Sequence, residues 1–72
     1  MFNGEYFLKD VIGEVAGEVW DFLDENGESS ISGVTKGVDA PGTKVYMAIG
    51  WLAREDKIEF VDKKRGNAVR LK

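Results

Sequence analysis

The sequence contains neither cysteine nor histidine, and its 72 residues include a single proline. Without cysteine the chain can form no disulfide and offers no thiolate nucleophile, and without either residue type nearly every zinc site is excluded. Histidine is also the side chain most often used as a general acid or base. The composition therefore predicts a non-catalytic protein with no metal and no other cofactor.

Long apolar runs and nucleotide-binding motifs are also missing. No apolar run approaches the roughly 18 residues of a membrane-spanning helix, and the N-terminal MFNGEYFLKD lacks the basic start of a signal peptide. The glycines are scattered and form no G-x-x-x-x-G-K-[ST] phosphate cradle. We therefore expect a cytoplasmic protein with no membrane partner, and no small-molecule substrate is evident.

What is present suits one small folded domain over residues 1–72. The hydrophobic content of 43% is that of a folded chain. A core of this size is close to the lower limit of independent stability, so oligomerisation is the remaining source of additional stabilisation.

Charge is distributed unevenly along the chain, whose net charge is −3. Residues 1–30 carry eight acidic side chains and one basic one, whereas residues 31–72 carry nine basic and five acidic ones. This segregation is typical of a polarised nucleic-acid-binding domain. The overall acidity argues against strong non-specific DNA binding.

Apolar side chains at three- and four-residue steps predict two long amphipathic helices. The first begins at or before Asp10 and ends at Asn26-Gly27, since both of these residues tolerate the left-handed conformation that closes a helix. The other extends from Thr43 to about Asp56. Its apolar stripe consists of Val45, Ala48, Ile49 and Leu52.

Two weaker elements lie between these helices. The polar residues 29–32 predict a minor strand, and a short second helix follows it. Asp39 or Ala40 is expected to cap the third helix, with Pro41 in its first turn. The shared face of the short helix is formed by Ile31, Val34, Thr35 and Val38.

Gly13 and Gly17 lie in the interior of the first helix, where each costs about 1 kcal/mol relative to alanine. Because helical side chains lean toward the N-terminus, the indole of Trp20 is expected to lie across Gly17 and Ala16. The alternative interpretation is close approach of a second helix, as in a dimer.

Residues 58–71 predict a β-hairpin, with the turn at Lys63–Gly66. One register satisfies both faces, because apolar side chains pair on one side and opposite charges pair on the other. Phe60 and Val69 are expected to close the open end of the helical core. The cross-strand pairs of this register are Ile58–Leu71, Phe60–Val69, Glu59–Arg70 and Asp62–Asn67.

This order of elements predicts an α+β fold, a winged helix-turn-helix in which a three-helix core carries a C-terminal β-hairpin wing. The segment VYMAIGWLAREDKI, from Val45 to Ile58, resembles the third helix and first wing strand of winged-helix proteins. GEVAGEVWDFLDENG, from Gly13 to Gly27, is similar to the first helix of a small bacterial and archaeal winged helix-turn-helix family of unknown function. The resemblance implies this fold and, by analogy, DNA binding.

The chain departs from that family pattern at residues 38–42. A Gly-Leu-Ser type of turn is usual between the second and third helices, and this sequence has Val-Asp-Ala-Pro-Gly there. The resemblance therefore does not determine where the third helix begins.

In a helix-turn-helix protein the third helix enters the major groove, and the exposed residues of its N-terminal half meet the bases. This position assigns Thr43, Lys44 and Met47 to DNA contact, and the basic hairpin tip is suited to the phosphate backbone. The alternatives are an ordinary solvated helix face and a solubilising turn. The wing residues predicted to bind DNA are Lys63, Lys64, Arg65, Asn67 and Arg70.

Several aromatic side chains exceed what the predicted core requires. Trp51 is expected to pack under the wing or against the first helix, or else to contact a second subunit. The sequence thus predicts a transcription-regulator-like DNA-binding module that forms a homodimer. The alternative is a protein-interaction winged helix that acts as a dimerisation or adaptor module. Its contact residues would be Phe2, Tyr6, Phe7, Tyr46 and Trp51.

Overall fold

The computed structural model describes residues 4–64 and 66–72, and the side chains of residues 10–64 and 66–72. Three helices and three strands form in the predicted order, and the strands make one antiparallel sheet in the order β1-β3-β2. The elements are α1 (Gly4–Asn26), β1 (Ser29–Ser30), α2 (Ile31–Gly37), α3 (Gly42–Arg54), β2 (Ile58–Lys63) and β3 (Gly66–Leu71).

Helix α1 begins at Gly4 and ends at Asn26, so the predicted end is confirmed and the start precedes Asp10. Gly27 takes a φ of 75° and its N–H donates to the carbonyl of Leu23 at 2.8 Å, which satisfies one of the last free carbonyls of the helix. The chain can then turn directly into β1. This early reversal places β1 and α2 beside the helix they follow.

The turn between α2 and α3 is capped differently from the prediction. Pro41, and not Asp39 or Ala40, is the N-cap of α3, and no side chain caps this helix. The N–H groups of Lys44 and Val45 donate to the Pro41 carbonyl at 2.9 and 3.0 Å. Pro41, with φ −58° and ψ 140°, thus accepts the first backbone hydrogen bonds of the helix.

The other end of α3 also differs slightly from the prediction. The helix ends at Arg54, two residues before Asp56, which takes a left-handed φ of 63°. The chain then enters β2 at Ile58, so the third helix and the wing are joined by three residues.

The core lies where the three helices meet the inner face of the sheet. No charged or polar side chain is buried among the described residues. Hydrophobic burial therefore holds the described part of the chain together, since its interior contains no polar network. The cluster consists of Val15, Ala16, Val19, Leu23, Val34, Val38, Val45, Ala48, Ile49, Leu52, Ile58 and Val69.

The predicted hairpin register is confirmed at every pair, including Phe60 with Val69 and Glu59 with Arg70. The predicted role of Phe60 is wrong, because its side chain is 52% exposed while Val69 is fully buried. Val69 lies on the central strand, with β1 on one side and β2 on the other. Phe60 lies on the edge strand β2, two residues beyond the buried Ile58, so this strand contributes Ile58 to the core and leaves Phe60 exposed.

Candidate nucleic-acid interface

The solvent face of α3 lies opposite its buried stripe. This face is formed, at 3.6 residues per turn, by four exposed residues: Thr43, Met47, Gly50 and Arg54. Thr43 and Met47 were predicted here. Arg54 was not predicted as a contact, although it follows Met47 by seven residues and so returns to the same side after two turns.

The flanks of α3 carry the other predicted residues. Lys44 and Trp51 lie on the flank nearest α1, where Lys44 is half-buried and Trp51 is 38% exposed. Tyr46 lies on the opposite flank and is 57% exposed. The two aromatic residues predicted to form one interface from this helix therefore face different directions.

Charge separates the helices as well as the halves of the sequence. Helix α3 carries Lys44 and Arg54 and no acidic residue, and α2 carries Lys36 and no acidic residue. Helix α1 carries seven acidic residues against one lysine. With Asp39 in the turn between them, residues 31–54 carry three basic and one acidic side chain, a net charge of +2 in a chain of net charge −3, and Glu55 and Asp56 follow directly.

Two of the predicted wing cations are already engaged in ion pairs. The Nζ atom of Lys63 lies 2.7 Å from Oε2 of Glu28, and Nη1 of Arg70 lies 3.7 Å from Oε1 of the same carboxylate. Arg70 also donates from Nε to Oε2 of Glu59 at 2.8 Å, as the hairpin register predicted. The four side chains form one alternating network, which we call the wing network.

Glu28 was not expected in this network. It enters because β1 pairs with β3, which brings the residue preceding Ser29 alongside Arg70. The hydrogen bond from Lys63 lowers the pKa of Glu28 below its ordinary value of 4.5, and the charges of Lys63 and Arg70 add to this effect. An acid whose pKa is lowered by folding stabilises the fold above its unfolded value, and this contribution is lost as the pH falls through the lowered pKa.

The remaining wing residues that the structure describes, unlike Lys63 and Arg70, take no part in the wing network. Lys64 and Asn67 are exposed near the hairpin tip, and no ion-pair partner of Lys64 occurs among the residues that the structure describes. Arg65 lies outside the described residues, as do Phe2 and the side chains of Tyr6 and Phe7.

A groove of about 360 Å³ separates α1 from α3 beside this surface. Trp51 lines it against α1, which agrees with one of its predicted positions. The predicted cover of Gly17 by Trp20 is wrong, because a β-carbon at Gly13 or Gly17 would meet no described atom within 4 Å. The lining residues are Gly13, Ala16, Gly17, Trp20, Asp21, Trp51, Leu52 and Lys57.

The described part of the chain contains no group of three or more acidic residues placed to hold a metal ion. Within the same residues, no helix combines the length and apolar character needed to cross a bilayer. The described surface thus offers two features for binding: the positive helix pair with its wing, and the tryptophan-lined groove.

Comparison with known proteins places this arrangement among winged helices. The family model described as Winged helix-turn-helix domain (DUF2582) matches residues 7–71. The uncharacterized protein MJ1608 of Methanocaldococcus jannaschii is 44% identical over 64 residues, which cover 85% of this chain and 90% of that protein.

Two solved structures are similar in fold. Protein BT2368 from Bacteroides thetaiotaomicron has a TM-score of 0.78 at 32% identity, over 88% of this chain and 77% of that one. The Zalpha domain of PKZ from Carassius auratus, solved in complex with Z-DNA, has a TM-score of 0.74 at 18% identity, over 85% of this chain and 97% of that one. The second likeness concerns the fold alone.

Proposed function

The chain belongs to the Winged helix-turn-helix domain (DUF2582) family, and we propose that it is a non-catalytic DNA-binding module of the transcription-regulator type. In this proposal α3 enters the major groove with Thr43, Met47 and Arg54 toward the bases, and the wing lies along the phosphate backbone. Lys44 and Lys64 supply the cations nearest to the phosphates.

The observation that carries this proposal is the positive charge of the helix-turn-helix pair. Three basic side chains and no acidic one lie on α2 and α3, while the acidic residues concentrate on α1. A strongly acidic α1 is repelled by a polyanion, so the field orients the domain with α3 toward the DNA. The Z-DNA complex of the PKZ domain supports DNA as the class of partner for this fold and does not specify a DNA conformation for this chain.

The exposed side chains favour weak sequence discrimination. Arginine reads guanine, and asparagine and glutamine read adenine, through paired hydrogen bonds. The outer face of α3 has one arginine and neither of the two amides. Threonine and methionine can contact a base edge or a thymine methyl group with less discrimination. Phosphate contacts therefore supply most of the affinity.

The test is an electrophoretic mobility shift on a random-sequence duplex across a salt series. We expect a shift at low salt whose binding constant falls with salt, with a slope of about −0.9 for each phosphate that is neutralised. The absence of a shift at low salt, with correctly folded protein, contradicts the proposal.

The wing network gives a prediction specific to this chain. Replacing Glu28 by glutamine removes the ion-pair partner of Lys63 and leaves Arg70 paired with Glu59 alone, so Lys63 above all becomes available to phosphate. We expect Glu28→Gln to tighten duplex binding by about fivefold at low salt and to steepen the salt slope. Fluorescence anisotropy with a labelled duplex measures both quantities.

Glu18→Gln is the matched control, because it makes the same charge change at an exposed residue of α1 that takes no part in the wing network or in the proposed contact surface. If the two variants tighten binding equally, net charge explains the gain and the release of Lys63 does not.

A second candidate function is protein interaction, which the half-exposed tryptophans favour. A winged helix that has lost DNA binding and serves as a dimerisation or adaptor module would use such aromatic side chains as contact residues. In that case no duplex shifts even at low salt, and a protein partner covers the groove.

A further inference from the structure

The groove between α1 and α3 exposes the two largest side chains of the protein. Trp20 and Trp51 are the only tryptophans in the sequence, both line this groove, and each is 38% exposed. Leaving two indoles partly in water forfeits hydrophobic stabilisation that a small domain needs. Half-exposed tryptophans of this kind carry much of the binding energy where two protein surfaces meet.

The α1 wall of the groove permits close approach by another molecule. Gly13 and Gly17 are one turn apart, and neither has the left-handed φ that would require glycine. A β-carbon at either position would enter open space, so no described neighbour within the chain requires glycine there. Glycine weakens a helix relative to alanine, and no contact among the described residues compensates for this loss of stability.

The charges on the groove are self-complementary. Asp21 lines it on α1, and Lys57 lines it just beyond α3, so the lining carries one acid and one base. In an interface with two-fold symmetry, each contact between two different residues occurs twice, in reversed order. A second copy can therefore set its Lys57 against Asp21 of the first and its Asp21 against Lys57 of the first.

We propose that this groove is the interface of a homodimer. Trp20 and Trp51 of one copy pack over the Gly13–Gly17 wall of the other, and two Asp21–Lys57 ion pairs flank the indoles. This inference deepens the dimerisation role considered above and changes its surface, because Tyr46 lies on the opposite flank of α3. It does not depend on DNA binding.

Charge reversal tests the pairing directly. We expect sedimentation equilibrium at low to high micromolar concentration to show a wild-type dimer. Asp21→Lys and Lys57→Asp each place like charges against each other twice and should raise the dissociation constant at least tenfold, whereas the double variant should recover the dimer. Glu18→Lys is the matched control, since it makes the same change on α1 outside the groove and should leave the mass unchanged.

Gly17→Ala separates subunit contact from folding. Alanine should raise the Tm of the isolated domain, because it favours the helix and meets no described neighbour, yet it should weaken the dimer by filling the contact wall. Both tryptophans report on the groove, so their emission should shift to shorter wavelength as wild-type protein is concentrated. The shift should be reduced in Gly17→Ala.

Three results overturn the inference: a wild-type monomer throughout the concentration range, a dimer that tolerates both single reversals, or single reversals that the double variant does not rescue. A wild-type monomer would mean that the groove binds a different partner, and a dimer that tolerates both reversals would mean that the copies meet through another face. A monomer that still shifts duplex DNA refutes this inference alone, and a dimer that shifts none refutes the DNA proposal alone.

Discussion

Replacing Lys44 and Lys64 together by alanine is expected to weaken duplex binding about 60-fold at 0.1 M salt. The two lysines lie at separate ends of the proposed contact surface, one at the start of α3 and one at the hairpin tip. The binding constant falls with salt concentration, and each neutralised phosphate adds about 0.9 to the exponent of that dependence. Losing two phosphate contacts therefore lowers the binding constant by about 1.8 powers of ten at 0.1 M salt. Anisotropy titrations across a salt series measure the loss and the slope.

The control for this variant is Lys72→Glu, which changes the net charge by the same two units. Lys72 follows β3 at the base of the hairpin and pairs with Asp56 at 2.5 Å, at the end of the ribbon away from the tip. If the control loses as much affinity as the double variant, the DNA responds to net charge and the proposed surface is wrong. If the double variant binds as wild type does, the phosphates lie elsewhere.

The second large effect concerns stability. Leu23→Ala should lower the free energy of unfolding by about 2–5 kcal/mol, since a fully buried leucine leaves a cavity that its neighbours fill only in part. A domain of this length has a total stability of roughly 4–11 kcal/mol, so the variant is expected to be partly unfolded near its working temperature. Urea denaturation followed by circular dichroism measures the change.

Phe60→Ala is the informative comparison, because it removes a larger side chain. Its ring is half exposed on the edge strand, so we expect a loss below about 1 kcal/mol. A loss as large as that of Leu23→Ala would mean that the phenylalanine closes the core, as the sequence pattern suggested. The pair of variants thus tests the structural correction and not merely the importance of a core residue.

The elements themselves were predictable from local patterns. The hairpin register followed from alternation on two faces, since a shift of one residue would have placed Glu59 and Arg70 toward the core. The apolar stripe of α3 and the Asn26-Gly27 end of α1 were equally local, because helix period and left-handed tolerance are properties of neighbouring residues. The family resemblance agreed with this interpretation.

The candidate site was less predictable. Thr43 and Met47 fell on the outer face of α3 as expected, and helix periodicity would have added Arg54. The pairing of Lys63 with Glu28 had no local indication, because 35 positions separate the two residues and a two-residue strand brings them together. Side-chain ion pairs across a sheet depend on which strands become neighbours.

By itself, the sequence determined the helices, the hairpin with its register, the order of the elements and the segregation of acidic from basic residues, since each of these depends on spacing within one segment. Only the tertiary structure decided that Phe60 stays exposed, that Glu28 neutralises part of the wing, and that Trp20 and Trp51 meet in one groove. The reason is that burial and charge pairing are properties of the space between segments, and periodicity identifies the face of an element without identifying what covers it.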